Sequence, residues 1–305
     1  MQSLDVIAVY NNPVRWESRR RLHSDFEQHM LDSGVRFTTV ECAYGDRPFE
    51  LAAHPHINRI QVRAKTWLWI KENLINIGIS RLPPDWKYVG WIDADITFRK
   101  SAWASEAVHA LQHYDVIQPW AHCYDLGPKD EHLEAHASIC YLYRHGKPVM
   151  MPHKSPYAFG HPGYAWCATR NAIEWLGGLI DIGILGAGDH HMAAALVGLA
   201  DRSMPGGISN GYKRHVLQWQ QRANQHINKN IGFTYGTIEH AWHGRKEDRK
   251  YIDRWKIITS NHYDPDTDIK YNSSRVIELA GNKPKLAFDI DMYFRQRSED
   301  VNSVE

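Results

Sequence analysis

Apolar and polar positions alternate along this chain in two periods. "LDVIAVY", Leu4 to Tyr10, is a short apolar run with β-branched residues, stopped by "NNP". It predicts a buried first strand that ends in a loop. From Arg15 to Gly34 the apolar residues Leu22, Phe26 and Met30 recur at a spacing of four, and Gly34 suits the residue after a helix end. "VRFTTVECA", Val35 to Ala43, predicts a second strand, and Asn58 to Val62 a third. Lys65 to Ile79 reads as a helix with Trp67, Ile70, Leu74 and Ile77 on one side. "YVGWIDADITF", Tyr88 to Phe98, reads as a further strand, "WASEAVHALQHY" as a helix and "DVIQPW" as another strand. This order predicts an α/β fold: a Rossmann-like, mostly parallel sheet flanked by helices.

The pattern weakens from Ala121 to Pro162, which is rich in His, Pro, Gly and Tyr and reads as a long irregular segment. "NAIEWLGGL" predicts a short helix that ends at Gly-Gly, and "GDHHMAAALVG" a helix with Asp189 near its start. A polar helical stretch follows Tyr212 to about Asn230, and "EHAWHGRKEDRKYIDRW" leads into a basic helix. The last fifty residues read as a helical peripheral wrap, frayed from about Ser298. One domain over 1–255 is expected, with a nucleotide-binding half (1–120), a catalytic half (121–255), and an extension over 256–305.

Composition narrows the function little. Of 305 residues, 43% are hydrophobic and 23% charged, with 36 Lys plus Arg against 35 Asp plus Glu, so net charge names no polyanionic partner. Arg15, Arg19, Arg20 and Arg21 form the best local basic cluster, although a solvated helix face explains them as well. Cys42, Cys123, Cys140 and Cys167 lie far apart, without a C-x-x-C pair, and are expected to be reduced core thiols of a cytosolic protein. The N-terminus is too acidic for a signal peptide, and no apolar run is long enough to span a membrane.

The chemistry lies in three segments. Asp93 and Asp95 stand one residue apart where "YVGWI" ends. Alternate residues of an extended segment share a side, so both carboxylates could face one site at the carboxyl edge of the sheet. Like charges this close would leave one carboxyl protonated, and a hard divalent cation, Mg²⁺ or Mn²⁺, removes the conflict. A pair of solvent-facing turn aspartates is the structural alternative. Asp189, at a helix start before His190 and His191, is either a helix cap or a general base for an incoming hydroxyl. "HAWHG" places His240 and His243 three apart, as on one helical turn, followed by Arg245, Lys246 and Arg249. A neutral imidazole there could complete a coordination begun at Asp95, and the cations could meet phosphate.

Taken in order, "WIDADITF", "GYAWCATRNAIEWLGGLIDIGILGAGDHH" and "HAWHGRKEDRKYIDRW" resemble the D-x-D strand, the Gly-rich acidic segment and the late metal-binding histidine segment of GT-A fold nucleotide-sugar glycosyltransferases of galactosyltransferase type. The likeness covers about Leu4 to Trp255 and is similar also to glycosyltransferases carried by bacteriophages. It implies a metal-dependent, inverting transfer of a sugar from a nucleotide-sugar donor, a UDP-sugar first, to an acceptor hydroxyl. On that resemblance Asp95 and His243 bind Mn²⁺ or Mg²⁺, Asp93 touches the metal or the donor ribose, and Tyr10, Asn11 and Pro13 meet the nucleotide base. Arg63 and Lys65 are further donor contacts. Asp189 is the base; because Gly188-Asp189-His190 stands where the family has Glu-Asp, His190 or His191 could take that role instead or only orient the acceptor, with His191 as an acceptor contact. The implied acceptor is a hydroxymethylated pyrimidine of phage DNA in a bacterial host's cytoplasm, stacked on Trp120, Tyr164 or Trp166; a glycan is the alternative acceptor, and a metal-dependent hydrolase or nuclease the alternative class.

Overall fold

The computed structural model describes residues 3–150, 160–245, 250 and 253–300. The first half contains β1 (Leu4–Asn11), α1 (Glu17–Asp32), β2 (Arg36–Tyr44), β3 (Ile57–Ala64), α2 (Lys71–Ile79), β4 (Tyr88–Ile92), β5 (Ile96–Phe98), α3 (Trp103–Ala110) and β6 (Val116–Gln118). There follow β7 (His122–Leu126), β8 (His132–Ala137), α4 (Ile139–Arg144), β9 (Ala165–Thr169), α5 (Arg170–Leu176), α6 (Gly188–Leu196), α7 (Asn210–Arg222), β10 (Ile231–Phe233) and β11 (Thr237–His240). The chain closes with α8 (Asp253–Ser260), α9 (Pro265–Asp268), β12 (Ile269–Tyr271), β13 (Ile277–Leu279) and α10 (Pro284–Gln296).

Seven strands form the main sheet in the order β10-β6-β9-β4-β1-β2-β3. Only β9 runs against its neighbours, pairing antiparallel with β4 and β6, so this is a mixed, mostly parallel α/β sheet. Residues of β1 alternate between two apolar cores. Val6 and Ala8 pack with Phe26 and Met30 of α1 and Trp103 of α3; Ile7 packs with Leu74 and Ile77 of α2. Helices therefore cover both faces, as the buried strand pattern requires. All four cysteines are buried and unbridged. Among the described residues, no helix is long and apolar enough to cross a membrane.

Helix α2 lies close on β1 and β2 at Gly78. A Cβ there would sit 2.9 Å from Ile7 Cγ2 and 3.0 Å from Val40 Cγ2. Both are methyls on stiff β-branched carbons that cannot swing aside. Gly78→Ala should therefore lower stability by about 1–2 kcal/mol, overpacking outweighing the gain in helix propensity. Denaturant unfolding with a lower midpoint and an unchanged slope checks this.

Several elements depart from the sequence expectations. The helix expected over Lys65 to Ile79 begins only at Lys71. Before it the chain is held in place by tertiary bonds: Trp69 N–H donates to Ile184 O, and Leu68 O accepts from Asn11 and Tyr44. "YVGWIDADITF" is two strands in different sheets, broken by a turn at Ala94–Asp95. The segment expected to be irregular contains β7, β8 and α4. Here β7 and β8 join β5 and β11 in a four-stranded sheet ordered β5-β11-β7-β8. Lys246, Arg249 and the start of the expected basic helix lie outside the described residues.

Candidate active site

The site forms where the two sheets meet. β4 delivers Asp93 at the carboxyl edge of the main sheet, and the turn delivers Asp95 to the small sheet. There β11 is in register with both neighbours, His240 opposite Ile96 of β5 and Asp125 of β7. Asp95 O accepts from Ala241 N–H at 2.8 Å, tying the turn to the end of β11. His240 and His243 thus meet without a helix: His240 ends a strand and His243 follows in irregular chain. Their Nε2 atoms lie 3.2 Å apart, and Asp95 Oδ2 is 3.1 Å from His243 Nε2 and 3.5 Å from His240 Nε2.

This trio fits a divalent cation. One ligand atom from each residue falls within 4.8 Å of the others, and the second oxygen of Asp95, Oδ1, is buried without a hydrogen-bond partner. A carboxylate and two imidazoles are ligands that Mn²⁺ accepts. The tautomer of His240 suits this use. Its Nδ1 lies 3.0 Å from Asp125 Oδ1, so a proton held there frees Nε2 to act as the ligand atom once the Nε2 proton is lost. Asp125 also accepts from Tyr164 Oη at 2.7 Å and His136 Nε2 at 3.0 Å. Burial disfavours the His240 imidazolium, but Asp95 and Asp125 outweigh it and raise the group to about 9. Burial likewise opposes the Asp95 carboxylate, yet the two histidines hold it well below the usual range. A cation here must displace a proton, so its affinity should rise with pH.

The other wall carries Asp93 and Asp189. Both face Lys71, which opens α2: its Nζ is 3.0 Å from Asp93 Oδ1 and 3.7 Å from Asp189 Oδ2. Burial acts against the Lys71 ammonium, but Asp93, Asp189 and Glu72 outweigh it and hold its pKa well above the usual value. Asp189 stays ionised: burial would raise it, but Lys71, then Arg254 and His161, lower it. Asp93 is raised, by burial first and then by Asp95 and Asp189. The two carboxyls of D-x-D are thus driven apart, Asp93 raised by burial and then its acidic neighbours against the pull of Lys71, Asp95 lowered by its histidines. Burial also pushes the Glu72 carboxyl up to about 7. Glu72 packs where Gly188 leaves room, since a Cβ there would fall 2.5 Å from Glu72 Cδ.

Between these walls lies a cavity of about 450 Å³, ample for a small-molecule ligand. Tyr10, Asn11, Asp93, Asp95, Asp189 and His243 line it. So do Arg254 and Arg297, which bring positive charge to the same space as the carboxylates. Two non-glycine wall residues, Tyr164 (φ 74°) and Ala187 (φ 84°), hold left-handed backbone, a strain that concentrates at functional sites.

Other expected contacts lie elsewhere. Trp120 and Trp166 are sealed in the core, 0% and 3% exposed, their indole N–H groups donating to Ala165 O and Pro162 O. They have no free face for an acceptor to stack on. Tyr164 lines the cavity, but its ring lies flat on His161 with centroids 3.7 Å apart. His191 is wholly buried between Ser203 and Tyr212 and positions α6 rather than an acceptor. Arg63 turns to Gly45 O and Arg47 O and covers Phe49. Lys65 meets Glu278 through its backbone, and Pro13 O accepts from Arg47. None of these three lines the cavity.

His190 is also outside the cavity wall, and its buried Nδ1 has no partner. Burial lowers its pKa to about 4, so it is neutral in the folded state. The unfolded chain takes up this proton near pH 6.5. Stability should therefore be full above that value and fall as pH drops toward 4, by about 3 kcal/mol in total. Denaturant midpoints across this range check it, and His190→Gln should flatten the acid limb.

Lys71, Glu72, Asp125, Arg254, Arg297 and Glu299 carry no local sequence signal and were not expected at the site. Glu299 corrects the expected frayed end: it is 1% exposed and ion-paired with Arg19 and Arg297, each at 2.6 Å. The extension over 256–305 is thus not merely peripheral, because α10 stacks Phe294 on Trp69 and delivers Arg297 to the cavity.

No protein-family model matches the chain, and no curated protein matches it by sequence. Among solved structures it is similar to the catalytic domain of Drosophila β1,4-galactosyltransferase 7 in complex with xylobiose. They share 11% identity over 94% of this chain and 99% of that chain, with a TM-score of 0.44. Residues 1–349 of S. aureus TarS share 9% identity over 85% and 64% of the respective chains, at 0.43. GalNAc-T7 with UDP, GalNAc and Mn²⁺ shares 11% over 84% and 48%, at 0.41. These are distant likenesses, and the chemistry of the site rests on this chain's own residues.

Proposed function

We propose that the chain is a GT-A type glycosyltransferase that moves a sugar from a nucleotide-sugar donor to an acceptor hydroxyl, with inversion. The observation that carries this reading is one cavity with a cation-ready trio, Asp95, His240 and His243, on one wall and an ionised base, Asp189, on the other. Asp95, His240 and His243 would hold Mn²⁺ or Mg²⁺. When bound, the cation supplies Lewis-acid stabilisation of the leaving diphosphate. Arg254 and Arg297 add fixed positive charge on the cavity wall. Asp189 accepts the acceptor's hydroxyl proton as the new C–O bond forms at the anomeric carbon. The old bond to the diphosphate breaks with its electron pair on the phosphate oxygen. Lys71 holds Asp93 and Asp189 in place across the cavity. Tyr10 and Asn11, at the end of β1, are the residues we assign to the nucleotide.

A two-metal hydrolase fits less well. The second cluster of possible ligands, Asp125, Glu134 and His136, centres on an Asp125 already engaged by His240, His136 and Tyr164. DNA as acceptor draws no support from Trp120 and Trp166, which are sealed in the core. The test is incubation with a nucleotide-sugar panel headed by UDP-sugars, with Mn²⁺, and with glycans and hydroxymethylated DNA as separate acceptor arms. Cation-dependent release of nucleoside diphosphate with a sugar adduct on one acceptor supports the reading. Acceptor cleavage without donor consumption refutes it.

A further inference from the structure

We propose that the C-terminal strap Arg297–Asp300 is part of the site, with Glu299 as the positioning residue that turns His243 Nε2 toward Asp95. This rests on the cation reading above. The two histidines stand in matching surroundings. Each aims Nε2 at Asp95, and each has a buried carboxylate at its Nδ1 edge: Asp125 at 3.0 Å for His240, Glu299 Oε2 at 3.6 Å for His243. His243 Nδ1 is buried and makes no hydrogen bond, so Glu299 is the charge that faces it. A carboxylate there favours the tautomer with its proton on Nδ1, leaving Nε2 as a ligand atom.

The strap is fixed at every residue. Arg297 pairs with Glu299, donates from Nη1 to Tyr293 Oη at 2.7 Å, and lies over Trp69. Ser298 passes over Gly244, where a Cβ would come 2.7 Å from Ser298 O; the backbone there has φ +91°, so glycine serves twice. Glu299 reaches Arg19 of α1 as well as Arg297. Asp300 accepts from the backbone N–H groups of Glu17 at 3.1 Å and Ser18 at 2.8 Å, capping α1, whose own N-cap residue Trp16 makes no side-chain cap. The chain end thereby ties the first helix to the ligand His243. The carboxylate is set by α1 and α10, the imidazole by the end of β11.

The test is Mn²⁺ affinity, read from the free-ion electron paramagnetic resonance signal, for wild type and Glu299→Gln well below their melting temperatures. Glu299→Gln should weaken Mn²⁺ about tenfold or more, within the ~10–100-fold range for such partners. A purely structural Glu299 would lower the melting temperature and leave Kd within threefold of wild type, which overturns the proposal. If Glu299→Gln does not fold, Glu299→Asp keeps the charge but draws it back from His243 Nδ1: Mn²⁺ binding weakened about tenfold supports the proposal, and a Kd within threefold of wild type overturns it. Wild type that binds no Mn²⁺ would sink the cation reading itself and the strap's role with it.

Discussion

Asp95→Ala is expected to abolish cation-dependent transfer, lowering kcat/KM by about 10³-fold or more, or ~4 kcal/mol of transition-state stabilisation. Asp95 is the only carboxylate of the candidate trio, and it meets both imidazoles. Without it two histidines remain, with Nε2 atoms 3.2 Å apart and no anion between them to attract a cation. Circular dichroism should stay that of wild type, because Asp95 sits in a turn and contributes no apolar core surface. Added Mn²⁺ should not restore the rate. A variant that keeps full activity, or wild type that works equally well in chelator, would show that the cation has no role.

Asp189→Asn should reduce kcat by about 10²–10⁴-fold, the usual contribution of a positioned general base, with donor affinity retained. The amide keeps the shape and cannot take a proton. Asp189 stands at the start of α6, held by Lys71 and by the backbone N–H of His190 at 2.7 Å, so the variant should fold. Single-turnover kinetics and donor binding by calorimetry separate the two effects. Loss of donor binding with unchanged turnover at saturation would move Asp189 from base to donor contact. Survival of turnover would place the base elsewhere, with His161, which lines the cavity, next to test.

In the main sheet β1, β2, β3, β4 and β6 were legible and β9 and β10 were not; β1 reads as an apolar run because it is buried on both faces, Leu4 to Asn11 but for one residue. The hairpin of β7 and β8 was not legible either. Four of the six residues of β8 are exposed, so the strand shows no apolar alternation and reads as loop. The early start expected for α2 came from Trp67 and Ile70, in helical spacing with Leu74 and Ile77; Trp67 instead packs on Phe294 of α10, as does Trp69. Contacts distant in sequence override local period there.

At the site, the residues legible in sequence were those whose spacing carries chemistry: Asp93 with Asp95, Asp189 at a helix start, His240 with His243. Their partners come from places that look ordinary. Lys71 reads as the polar side of an amphipathic helix, Asp125 as one acid in an irregular segment, Glu299 as a solvated tail. Each is made significant by burial next to an opposite charge, which the fold creates and no short stretch announces. The aromatic candidates failed for the converse reason. A tryptophan is as useful to a core as to a ligand, and Trp120 and Trp166 went to the core.

The most direct measurement is a crystal structure of the protein soaked with Mn²⁺ and a UDP-sugar, with anomalous scattering locating the metal. A single anomalous peak bonded to Asp95, His240 and His243, with the diphosphate on it and the sugar facing Asp189, is the predicted result. A nucleotide seated away from this cavity, or a metal that ignores Asp95, would contradict the account.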